Sequence, residues 1–105
     1  MKLGIVISQT HPETNWNAYR LGIYALGQGD SVRTFLLGRG VESGVEHPKF
    51  NVREKVAEYL EEGGEVYACG SCMKSRKMES SDSCPLSTMK DLYDIVNDSD
   101  KVLSF

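Results

Sequence analysis

The chain has 105 residues, 40% hydrophobic and 26% charged, with 12 Lys and Arg against 15 Asp and Glu for a net charge of −3. That length is one ordinary domain, 1–105, and the composition is that of a soluble globular protein. The slightly acidic balance argues against a nucleic-acid scaffold, and no run approaches the roughly 20 apolar residues that span a membrane.

The segment Leu3-Gly4-Ile5-Val6-Ile7 is continuously apolar and β-branched, as in a strand buried on both faces. Met1 to Ser8 is too short for a secretory apolar region and has no small-residue cleavage site behind it, so a cytoplasmic protein is expected. After a loop from Gln9 to Glu13, Trp16, Tyr19, Ile23 and Leu26 recur at helical spacing, and Gly27 and Gly29 end that helix. A second strand is predicted from Ser31 to about Leu37. Gly38 to about Phe50 then forms a glycine-bearing segment, long for a strand-to-helix loop and so a candidate functional one. Asn51 caps a second helix with Glu54 three residues on; Val52, Val56, Tyr59 and Leu60 form its buried stripe, and Gly63 and Gly64 close it. Glu65 to Cys69 reads as a third strand and Ser71 to Arg76 as a short helix. Ser87 to about Asn97 is a last helix with Met89, Leu92, Tyr93 and Val96 inward, and Lys101 to Phe105 a last strand.

This alternation predicts an α/β fold of parallel βα units. For four such strands the most economical right-handed arrangement is a doubly wound sheet of order 2-1-3-4. Its switch point falls between strands one and three, which puts a ligand crevice between the Gln9 to Glu13 loop and the Cys69 to Cys72 turn.

The three cysteines, Cys69, Cys72 and Cys84, are clustered and odd in number, a pattern that points to catalysis, redox chemistry or metal instead of a disulfide framework. Cys69 ends a strand, and Cys72 falls in the first turn of the next helix, where unpaired N–H groups and the helix dipole favour a thiolate. Lys74, Arg76 and Lys77 make this helix basic. Arg76 lies one turn after Cys72 on the same face, so its charge is expected to lower the thiol pKa further. The competing reading makes Cys69 a small core residue and Cys72 an inert surface thiol, and the C-x-x-C spacing around Gly70 weighs against it.

His11 would face Cys69 across the predicted crevice as a base; otherwise it is a solvated loop histidine ahead of Pro12, and His47 before Pro48 has less support. A closed zinc site needs four ligands, and one C-x-x-C is half a zinc motif without the ribbon or finger spacings. Cys84, followed by Pro85, reads as a bystander or a resolving thiol. Gly38-x-Gly40 with Gly44 follows strand two and lacks the Lys-Ser/Thr of a phosphate loop. Ser8 to Thr14 offers hydroxyls without the glycine of a flavin loop, so neither cofactor nor metal is expected.

Three segments together carry a resemblance: Leu3-Gly4-Ile5-Val6-Ile7 followed by Pro12-Glu13-Thr14-Asn15-Trp16-Asn17-Ala18; Tyr67-Ala68-Cys69-Gly70-Ser71-Cys72-Met73-Lys74-Ser75-Arg76; and Asp100-Lys101-Val102-Leu103-Ser104-Phe105. They resemble the DsrE/DsrF-like (YchN-like) family, which includes TusD-type sulfur-relay subunits. The strand-cysteine-helix segment is similar to that family's Cys-Gly-Thr-Cys-x-x-x-Arg pattern, with Ser71 standing for Thr. The resemblance implies a three-layer α/β/α sandwich with a parallel sheet of four to five strands and a homotrimeric or hexameric assembly. It further implies sulfur carried as a cysteine persulfide between donor and acceptor proteins, with Cys69 as the carrying cysteine, Cys72 as the second and Arg76 as the helix arginine. The sequence departs from the pattern at Lys77, where members commonly have Gly, and in the added Cys84. A dithiol/disulfide protein using the C-x-x-C pair and an oligomeric binding module with inert thiols are the alternatives.

Overall fold

The computed structural model describes residues 1–79 and 86–105. Lys2–Ile7 forms β1, Pro12–Gly27 α1, Ser31–Leu36 β2, Val52–Glu61 α2, Glu65–Cys69 β3, Gly70–Ser75 α3, Leu86–Ser87 β4, Met89–Asp98 α4 and Lys101–Ser104 β5, with a 3-10 turn at Gly38–Glu42. All pairings are parallel, in the order β4-β3-β2-β1-β5. The α/β character and the predicted strands hold, with β4 as an addition.

The predicted order 2-1-3-4 does not hold. β3 lies beside β2, and β1 is flanked by β2 and β5. The helices supply the reason. In an order that reverses after strand two, right-handed crossovers would send the first two helices to opposite faces of the sheet. Here α1 and α2 pack on one another, so closely that a Cβ on Gly22 would stand 2.9 Å from the Tyr59 ring. Two helices on one face mean two crossovers in one direction, and β1, β2 and β3 follow one another. The switch point accordingly moves to the β1/β5 boundary.

The core forms where this helix pair meets the sheet. Leu3, Ile5, Ile7, Val32, Leu36 and Val66 are buried beneath Tyr19 and Tyr59. The Tyr59 hydroxyl accepts from the Thr34 hydroxyl at 3.0 Å and faces the carbonyls of Val32 at 3.1 Å and Glu65 at 2.9 Å, tying α2 to β2 and β3. Burial pushes this phenol up to about 12, and the Thr34 hydrogen bond only partly offsets it.

α4 carries the chain from one edge of the sheet to the other. Its ten residues rise about 15 Å, against about 19 Å for four inter-strand spacings, so the short connections at its ends complete the crossing. Thr88 starts it with a reciprocal capping box to Asp91. Gly4 lets it approach β1, because a Cβ there would fall 2.8 Å from the Ser99 hydroxyl and 2.9 Å from Ile95. The predicted inward face of this helix is corrected: Ile95 is buried and Leu92 half-buried, whereas Met89, Tyr93 and Val96 are 63%, 66% and 51% exposed. The helix has two apolar stripes, and only the one through Ile95 lies on the sheet. Among the described residues no helix is long and apolar enough to cross a membrane.

Candidate cysteine site

β3 runs straight into α3 with no loop between them, so Cys69 is at once the last strand residue and the N-cap of the helix. This places it at the carboxyl edge of the sheet, in register with Ser87 of β4. Gly70 permits the sharp turn, since a Cβ there would press to 3.1 Å on the Ser87 carbonyl. Three positions on, Cys72 comes back under Cys69. The Cys72 thiol donates toward Cys69 Sγ at 2.6 Å, closer than unbonded sulfurs ordinarily pack yet beyond the about 2.05 Å of a disulfide. Both cysteines are free thiols.

Two opposed effects act on Cys69. Burial pushes its thiol up, but hydrogen bonds from the Cys72 thiol, the Ser71 hydroxyl and the backbone N–H groups of Cys72 and Ser71 outweigh it and hold the thiol below the ordinary cysteine range. The Ser71 hydroxyl lies 3.4 Å from the sulfur. Cys72 Sγ accepts a hydrogen bond of 3.2 Å from the Gly38 N–H, a group aimed by the left-handed backbone of Gly38 at φ 56°. The loop after β2 thus meets the site through one amide.

Arg76 is positioned differently from the sequence expectation. Its guanidinium donates to the Cys72 carbonyl at 3.1 Å and pairs with Glu42 at 3.4 Å. It clamps α3 to the 3-10 turn instead of facing a sulfur. His11 is the N-cap of α1, and its Nδ1 faces the backbone N–H of Thr14 at 3.5 Å and the Thr14 hydroxyl at 3.4 Å. The adjacency of strands one and three that would have brought it to Cys69 is replaced by β2 lying between them. His47 accepts from the backbone N–H groups of Lys49 and Phe50 in its own loop. Cys84 lies outside the described residues, and among those described no group of three or more His, Cys, Asp or Glu side chains is placed to hold a metal.

Cys69 also borders an open cleft of about 380 Å³ whose wall includes Lys74, Leu86, Ser87, Thr88 and Met89 but not Cys72. The β4 to α4 junction that forms this wall escaped the sequence reading, which placed Ser87 and Thr88 inside a helix. The available sign was the Thr88-x-x-Asp91 spacing of a capping box. Gly38 belongs to the glycine-bearing loop predicted from the sequence, and nothing local in that loop specifies which side chain its amide meets.

Together these features define an α/β protein with a five-stranded parallel sheet and a cysteine pair at a strand-to-helix turn. The sequence pattern of the DsrE/DsrF-like family matches residues 1–105, and the chain belongs to that family. It is 36% identical over 110 residues to an uncharacterized protein of Methanopyrus kandleri, covering 96% of this chain and 91% of that one. It is 33% identical over 116 residues to an uncharacterized protein of Methanocaldococcus jannaschii, covering 100% of both. A solved structure of a conserved protein of unknown function from Bacteroides thetaiotaomicron superposes with a TM-score of 0.79 at 19% identity, covering 99% of this chain and 94% of that one, a likeness of fold.

Proposed function

We propose that this protein carries sulfane sulfur as a persulfide on Cys69, acting as a small cytoplasmic sulfur-relay protein between donor and acceptor proteins. The observation that carries the reading is the hydrogen-bonded Cys69 thiol, held below the ordinary range in the lining of a cleft. The thiolate attacks the outer sulfur of a donor persulfide, R–S–SH; a bond forms from Cys69 Sγ to that sulfur, the donor S–S bond breaks, and R–S⁻ leaves. Ser71 and the two backbone N–H groups hold the attacking anion, Gly70 gives the turn its clearance, and Arg76 fixes the far end of α3. Lys74 on the cleft wall favours an anionic donor group.

Residues 1–105 work as one domain in this reading, with α1 and α2 on one face of the sheet and α4 on the other as a three-layer sandwich. The outward stripe of α4 supports assembly with further copies of the chain. A dithiol/disulfide role is the second reading, favoured by the 2.6 Å separation of the two sulfurs. Incubation with a sulfane-sulfur donor followed by intact-mass measurement tests the proposal. The Cys72→Ser chain is expected to gain one sulfur atom and the Cys69→Ser chain none. An adduct on Cys69→Ser, or none on Cys72→Ser, sinks it.

A further inference from the structure

Resting on the persulfide reading above, we infer that, when no acceptor is docked, the pair ends the sulfur's stay on Cys69 by expelling it as hydrosulfide, a persulfide-cleaving, sulfide-releasing activity with Cys72 as its second nucleophile. The step rests on proximity. Displacement at sulfur needs the incoming sulfur, the attacked sulfur and the leaving sulfur roughly in line. Cys69 lines a cleft walled by Lys74, Leu86 and Met89, which leaves space beside it for an added sulfur. The Cys72 sulfur stands 2.6 Å from Cys69 Sγ, kept in place by the Gly38 N–H at 3.2 Å and by the Arg76 hydrogen bond to the Cys72 carbonyl. The inner sulfur of a Cys69 persulfide is Cys69 Sγ itself, so the second thiol already stands beside the atom it must attack, and the outer sulfur is the group displaced.

The step balances without an external oxidant. Cys69–S–S⁻ and Cys72–SH give the Cys69–Cys72 disulfide and HS⁻. The new bond joins the two Sγ atoms, the bond to the outer sulfur breaks, and the Cys72 proton leaves on the hydrosulfide. The sulfane sulfur is reduced by two electrons and the thiol pair oxidised by two. Hydrosulfide leaves readily because hydrogen sulfide is more acidic than an alkyl thiol. Attack within one helical turn is effectively unimolecular, so it discharges the persulfide whenever no acceptor thiol is docked at the cleft. A low-molecular-weight thiol, itself oxidised to its disulfide, resets the pair.

The test is a single turnover of the fully reduced protein with cysteine persulfide, reading both trapped sulfide and intact mass. The unaltered chain is expected to release about one sulfide per chain and to lose two hydrogens in mass, and Cys72→Ser to keep the extra sulfur on Cys69 and release at least about ten-fold less. An unaltered chain that holds the sulfur as durably as Cys72→Ser, without sulfide release, overturns the inference and leaves the persulfide reading standing. If Cys72→Ser instead captures the whole donor as a mixed disulfide, sulfide came straight from the donor and the inference also falls. Neither adduct nor sulfide from either chain overturns both. The measurement on the unaltered chain holds even where a variant folds poorly.

Discussion

The chemistry at Cys69 turns on which of two opposed effects prevails. Burial alone would keep the thiol protonated, whereas the donors around it favour the anion, and the balance lies with the donors. The folded chain therefore binds this proton less tightly than the unfolded one. The stabilising contribution is present above the unfolded thiol's pKa and is lost as pH falls through the lower, folded value. Alkylation of Cys69 by iodoacetamide, followed by peptide mapping, is expected to show a pH midpoint below that of a free cysteine peptide. Ser71→Ala removes the hydroxyl at 3.4 Å, so the midpoint moves up and the rate on the acidic side falls severalfold. A midpoint indifferent to Ser71→Ala would mean that the hydroxyl contributes nothing to the anion. The identity of the two cysteines was legible in the sequence because C-x-x-C after a strand is a local pattern. The roles of Gly38 and Arg76 were not, since each depends on where a distant segment lands.

Among the elements, α3 differs from the other helices in how it ends. α1 and α2 close with Gly29 at φ 91° and Gly63 at φ 100°, and α3 closes with Lys77 at φ 55°. The hydrogen bonds are those of a Schellman end in which Lys77 N–H donates to the Lys74 carbonyl at 3.1 Å and Met78 N–H to the Met73 carbonyl at 2.9 Å. A side chain in this left-handed conformation costs roughly 1–2 kcal/mol, more than the roughly 0.5–1 kcal/mol that glycine's flexibility costs in a regular element. Lys77→Gly is expected to stabilise the protein by up to about 1 kcal/mol, raising Tm by a few degrees in thermal unfolding. A lower Tm would show that the Lys77 side chain contributes more than the strain removes. The departure at Lys77 was visible in the sequence, but its meaning depended on finding that α3 stops at Ser75. The periodicity of α4 was equally visible, yet a helix with two apolar stripes does not say which one the sheet takes. Gly4 decides that, by accepting Ile95 and Ser99.

Across the whole molecule, the strands were legible as segments and their order was not, because order depends on which helices touch. The contact of Gly22 with Tyr59 joins two helices whose sequences show only an apolar face each. The outward residues Met89, Tyr93 and Val96 sit on the same side of the sheet as Val102 of β5, itself 38% exposed. The proposed covering of this surface by further copies predicts an oligomer by light scattering, with Met89→Lys/Tyr93→Lys shifting the protein to monomer. A monomeric unaltered chain would sink that proposal. The sheet order also bears on how the chain reaches its native state. β1 and β5 are neighbours in space although nearly the whole sequence separates them. β1, β2 and β3 have the contacts to assemble with α1 and α2 alone, and the outer edge of β1 then waits for α4 to bring the remaining strand across. An unpaired apolar edge is a template for any extended chain that meets it, and so distant a pairing forms late. The docking of β5 closes that route to aggregation, so the short strand Lys101–Ser104 shields β1 as well as extending the sheet.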